Sequence, residues 1–158
     1  MEKPNYEKTK DNAFKEYQQI EEVYCPNLKK KVVFNSNGFL HIIYKSKGKK
    51  REEPAQLMRL KLLSKAVEII KATTTIQEYD SFTKEMLVKD HKLRVFKLTK
   101  VEYFGYIAII SGWKIKVIIK KIGNGSPFFW SVIPNWVTNK KRDQKFTYKN
   151  FSGNLEED

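Results

Sequence analysis

A chain of 158 residues is expected to form one domain over 1–158, and its 41% hydrophobic content suits a buried core rather than a disordered chain. Its 31 Lys and Arg against 18 Asp and Glu give a net charge of +13, which favours polyanionic partners: RNA, DNA, an anionic surface or an acidic protein. The single cysteine, Cys25, rules out an intramolecular disulfide and reads as a small buried residue in a reducing cytoplasm, while no apolar run approaches the roughly 18 residues of a membrane span.

The opening MEKPNYEKTK does not read as a secretory leader, so a cytoplasmic location is expected. Residues 8–22 have helical spacing, with Ala13, Phe14, Tyr17 and Ile20 on one face, and Pro26 ends any helix there. Val32, Val33 and Phe34 lead through Asn35-Ser36-Asn37-Gly38 into Phe39–Tyr44, a pattern that predicts a β-hairpin. Residues 45–51 form a basic loop. Glu52, Glu53 and Pro54 then open a helix to near Ala72, with Leu57, Leu60, Leu63, Val67 and Ile70 as its apolar stripe. Residues 76–92 read as a connection of mixed polarity, holding at most a short helix. Four strands are expected next: Arg94–Lys100, Val101–Ile110, Trp113–Ile122 after the tight turn Ser111-Gly112, and Phe128–Ile133, stopped by Pro134. From about 138 the tail is polar and basic, then acidic at Glu156, Glu157 and Asp158, and is expected to fray. Helices first and a strand meander later predict an α+β fold, with N-terminal helices packed on a curved antiparallel sheet of about four to six strands.

The positive charge is uneven. Residues 25–61 hold ten Lys and Arg against two Glu, residues 113–149 hold nine against one Asp, and the remainder is net acidic. Brought together by the fold, the two segments would line a groove for a phosphate backbone. Strand 113–122 alternates Ile115, Val117 and Ile119, read as the core face, with Lys116, Ile118 and Lys120, read as an outer face presenting cations. Tyr44, Phe129 and Trp130 are candidates to stack on bases.

The sequence shows no phosphate loop, no paired metal-ligating carboxylates, no Cys/His zinc spacing and no nucleophilic triad. No cofactor is expected. What remains is His41 among cations. Cleavage of RNA through its own 2′-OH needs a base, an acid and fixed positive charge around the crowded phosphorus. Histidine moves protons near neutral pH, Lys and Arg supply the charge, and a hydroxyl such as Ser131 can bind a nonbridging oxygen. A packed strand histidine is the bland alternative for His41.

The segment Gly38-Phe39-Leu40-His41-Ile42-Ile43-Tyr44-Lys45, then Lys50-Arg51-Glu52-Glu53 entering a helix with Arg59-Leu60, followed by Trp113–Ile119, Ile122–Gly125 and Phe128-Phe129-Trp130-Ser131-Val132-Ile133-Pro134, resembles the small barnase–EndoU–colicin–RelE-like ribonucleases of the phage and bacterial toxin branch. The resemblance covers roughly residues 23–136, with a gap at 73–92. It implies a curved antiparallel sheet with an active site on its open face and metal-independent cleavage of RNA. His41, Lys116, Lys120 and Ser131 fall at the catalytic positions, with Tyr44, Lys45, Lys50, Arg51, Arg59 and Trp130 as substrate-binding candidates. Lysine stands at strand positions where the family often has arginine, so the bidentate charge would come from Arg51 or Arg59. Arg59 reads equally well as a structural residue. The implied partners are transfer or messenger RNA and an acidic antitoxin or immunity protein, with no membrane. A non-catalytic nucleic-acid-binding module, or a phage-type inhibitor docking an acidic protein, are the alternatives.

Overall fold

The computed structural model describes residues 6–45, 48–139, 144–147 and 154–158. Four helices and seven strands follow in the order α1 (Tyr6–Ile20), β1 (Glu22–Cys25), β2 (Lys30–Val33), α2 (Ser36–Ile43), α3 (Glu53–Lys61), α4 (Leu63–Ala72), β3 (Glu78–Asp90), β4 (Leu93–Ile110), β5 (Trp113–Ile122), β6 (Phe128–Asn139) and β7 (Gln144–Thr147) among the described residues. The strands form one sheet in the order β1-β2-β6-β5-β4-β3, with β7 added to β6. Neighbours are antiparallel except β2 and β6, which meet in parallel at Val33 and Phe128. The fold is α+β, as composition and pattern predict. No helix among the described residues is long and apolar enough to cross a membrane.

The main core lies between the helices and one face of the sheet. Tyr17 of α1, Phe39 and Ile42 of α2, Leu60 of α3 and Ile69 and Ile70 of α4 pack with Cys25, Ile115, Val117, Ile119 and Phe129. Cys25 is buried, as expected. A smaller apolar cluster joins Val101, Tyr103 and Ile118 to Leu155.

Several predicted elements are different. Asn35-Ser36-Asn37-Gly38 is a helix start, not a hairpin turn: the Asn35 side chain accepts from the backbone N–H groups of Asn37 and Gly38, at 3.1 and 3.4 Å, and caps α2. His41 is therefore helical. The hairpin in this region is β1–β2 instead, with Val23 and Tyr24, just beyond the predicted helix, in its first strand. The helix expected over 53–72 breaks at Leu62, which lets Leu60, Leu62 and Leu63 all be buried. Residues 78–90 form β3, paired along its whole length with β4, and the two strands expected at 94–110 are one continuous strand. Pro134 does not stop β6, because it sits at a register shift where the missing N–H is tolerated.

Gly38 shows how closely α2 approaches the sheet. A Cβ there would collide with the Phe129 carbonyl oxygen and stand 2.7 Å from the Tyr17 hydroxyl. Gly38→Ala gains helix propensity, yet backbone has no room to yield. We expect a net loss of about 1–3 kcal/mol, read from the urea midpoint. A midpoint at or above wild type would show that α2 is not wedged against β6.

Candidate active site

Three elements carry the cationic site. The first is α2, whose cap and close approach to β6 bring the His41 ring onto Trp130, stacked at 4.0 Å between centroids. The second is the start of α3. Arg51 donates from Nε to the His41 carbonyl at 3.0 Å and approaches His41 Nε2 with its terminal nitrogen at 3.2 Å. A guanidinium on the last turn of a helix also complements that end's partial negative charge. Gln56, buried and bonded to the Tyr6 hydroxyl, holds the Arg51 carbonyl at 2.6 Å and so fixes where this arginine leaves the backbone. One helical turn on, Arg59 reaches the Ser131 hydroxyl at 2.5 Å.

The third element is the β5–β6 pair. Ile118 pairs with Ser131 and Ile119 with Phe129, so Trp130 is the extra residue of a β-bulge. The bulge interrupts the two-residue alternation. Phe129 remains in the main core, while Trp130 and Ser131 both face the site. Lys116 and Lys120 share the Ile118 face. Lys120 places its ammonium 4.1 Å from the Trp130 ring centroid and 5.1 Å from that of Tyr103.

Arg51, Arg59, Lys120, Trp130, Ser131, Lys116 and His41 thus converge, joining residues from both basic segments. Lys116 does not sit on a solvated outer face, as alternation suggests. It is fully buried and ion-paired to Asp158 at 2.8 Å and Glu78 at 3.0 Å. Arg59 is buried, and its guanidinium bonds Ser131 and Asp158 within the cluster. Tyr44 and Lys45 lie beside it. With Asn37, Leu40, His41 and Trp130 they line an open cleft of about 190 Å³. Lys50 is elsewhere, with its ammonium over the Tyr6 ring. Phe129, considered for base stacking, is fully buried in the core.

The tail supplies what the sequence reading missed. Asp158 and Leu155 are buried rather than frayed. The Asp158 main-chain oxygen accepts from Arg59 at 2.6 Å and from Ser131 at 2.7 Å. The Glu157 carbonyl accepts from Arg51 at 3.3 Å, and the Glu156 carbonyl from the Trp130 indole at 3.1 Å. The available signal was charge: an all-acidic triplet ends a chain whose two basic segments need counter-charge.

Burial, with Arg51, Arg59 and Lys120 adding repulsion, lowers the His41 pKa to about 2, so the imidazole is neutral. Because arginine only donates, His41 Nε2 accepts from Arg51 and the proton sits on Nδ1. Burial lowers the Arg59 pKa to about 9, against the opposing charge of Asp158, and Arg59 stays protonated at neutral pH. Lys120 is likewise lowered, chiefly by burial.

No family model, curated protein or solved structure matches the chain. The site is read from its own chemistry. Its donors are guanidinium, ammonium, hydroxyl and imidazole, a set that suits oxyanions, and the Glu78 and Asp158 carboxylates supply the counter-charge in the structure. Among the described residues no group of three His, Cys, Asp or Glu is placed to hold a metal.

Proposed function

We propose that the chain is an endoribonuclease that cleaves RNA without a metal ion, by attack of a 2′-oxygen on the adjacent phosphorus. One observation carries this reading: a neutral imidazole, His41, stands against Arg51 and in the field of Arg59 and Lys120, in a buried cationic cluster whose other members, Lys116 and Ser131, meet it at Asp158. The resemblance to the barnase–EndoU–colicin–RelE-like toxin nucleases supports the same chemistry.

In this reaction the 2′-O–P bond forms as the P–O5′ bond breaks, leaving a 2′,3′-cyclic phosphate and a 5′-hydroxyl. When an incoming phosphate draws Arg51 away from His41 Nε2, the freed lone pair takes the 2′-OH proton, and the phosphate charge restores basicity that burial and the neighbouring cations suppress. Arg59, Lys116 and Ser131 hold the nonbridging oxygens, where negative charge accumulates. Lys120, whose burial makes its ammonium a readier donor, returns a proton to the leaving 5′-oxygen. The cleft at Asn37, Tyr44 and Lys45 takes a neighbouring base and its phosphate. A cytoplasmic toxin whose target is transfer or messenger RNA, neutralised by an acidic antitoxin or immunity protein, fits this site.

The test is incubation of diverse RNAs with excess protein in EDTA over hours. Expected products carry 2′,3′-cyclic phosphate ends. RNAs that stay intact, or cleavage that appears only when a divalent ion is added, overturn the proposal.

A further inference from the structure

The segment Asn154–Asp158 occupies the cationic cluster with its own oxygens. Arg51, Arg59, Ser131, Lys116 and Trp130 all spend hydrogen bonds on it. Its carbonyl oxygens and the Asp158 carboxylate stand where the nonbridging oxygens of a phosphate would. We propose that residues 154–158 are a built-in competitor, which closes the site against RNA by mimicking a phosphodiester and must leave before substrate binds. This rests on reading the cluster as a phosphate site.

Three further observations favour a seated, displaceable strap. Leu155 anchors it in a prepared hollow: a Cβ on Gly105 would stand 3.3 Å from the Leu155 Cδ2 atom, so glycine leaves the space. The segment folds on itself, with the Asn154 carbonyl accepting the backbone N–H groups of Glu157 and Asp158 at 3.2 and 2.9 Å. The buried Tyr103 hydroxyl, packed beside Trp130, has no hydrogen-bond partner among the described residues while the strap is in place. A phosphate entering the vacated space could accept it.

The energetic logic is exchange. Ejecting the strap into water would leave buried Arg59 without the Asp158 oxygen and Lys116 without its Asp158 pair, with Glu78 still beside it, at a cost too high for a freely open state. An incoming phosphodiester repays that cost, so substrate is the natural trigger for opening.

The probe is a 2′-O-methyl RNA oligonucleotide, which has no free 2′-OH and stays intact whatever the chemistry. On the wild-type protein, amide hydrogen exchange at 155–158 should rise when the oligonucleotide is added. Unchanged or slower exchange there, with the oligonucleotide bound, overturns the proposal. Asp158→Lys places a cation among cations and should tighten oligonucleotide binding about tenfold or more, by removing the closed fraction. A chain lacking 154–158 should do the same, and the peptide Asn-Leu-Glu-Glu-Asp added to it should compete the oligonucleotide off. Weaker or unchanged binding in folded variants counts against the strap, and the exchange measurement needs no variant at all. Tighter binding without any RNA cleavage would sink the nuclease reading and leave the strap standing. Cleavage by the wild type with no strap displacement would do the reverse.

Discussion

Replacing His41 with alanine is expected to lower RNA cleavage about 10²–10⁴-fold, the range that a positioned proton-transfer group contributes. The side chain is 3% exposed and stacked on Trp130, so the variant must first be shown to be folded. Binding of the 2′-O-methyl oligonucleotide should persist, because Arg51, Arg59, Lys116 and Ser131 remain. A loss in kcat with binding retained separates proton transfer from mere support of the site. The substitution also has a pH signature that packing alone does not give. An unfolded histidine protonates near pH 6.5, whereas folded His41 stays neutral down to about 2. Between those limits the unfolded chain binds a proton that the folded chain does not, so this residue makes stability fall as pH drops through 6.5. His41→Ala removes that share of the acid limb, seen as a urea midpoint that falls less from pH 7 to pH 4 in the variant than in wild type. Full activity in the alanine variant would exclude His41 as the base.

The readable parts of this chain are those where local signals agree. The Ser111-Gly112 turn has positive φ at both residues, and glycine at the second advertises it. The β3–β4 turn has the same conformation at His91 and Lys92, residues that carry no turn signal, so the longest hairpin was invisible. Asn35-Ser36-Asn37-Gly38 satisfies two rules at once. It suits a hairpin by composition and a helix start by capping, and tertiary packing of Phe39, Ile42 and Ile43 selects the helix. At the site, chemistry was more legible than geometry. His41, Lys116, Lys120, Ser131, Arg51, Arg59 and Trp130 were all candidates, and the fold gathers them. Glu78 and the 154–158 strap were not, because pairing a buried lysine with acids 38 and 42 positions away leaves no local trace. The bulge that turns both Trp130 and Ser131 toward the site is equally silent, since it depends on register with β5.

Phe129→Ala is expected to be the most damaging substitution away from the catalytic groups, at about 3–5 kcal/mol. Its ring is fully buried and lies nearly parallel to Phe34 at 4.8 Å, with Tyr17 at 6.1 Å. Truncation leaves a void bounded by three different elements, α1, β6 and the residue after β2, which no single shift can fill. Against a total stability of about 5–15 kcal/mol, this loss brings the chain near unfolding at 37 °C. The consequence extends to the site. Gly38 rests on the Phe129 backbone, and Trp130 and Ser131 follow it directly, so relaxation around the void loosens the seat of α2 under His41. Cleavage at a temperature where the variant is still folded should therefore fall together with the urea midpoint. Phe129→Leu, which keeps most of the volume, should recover the larger part of both. A variant that loses stability but cleaves RNA at the wild-type rate would show that the site is held by α3, β5 and the Arg51 clasp alone, without help from the α2–β6 contact.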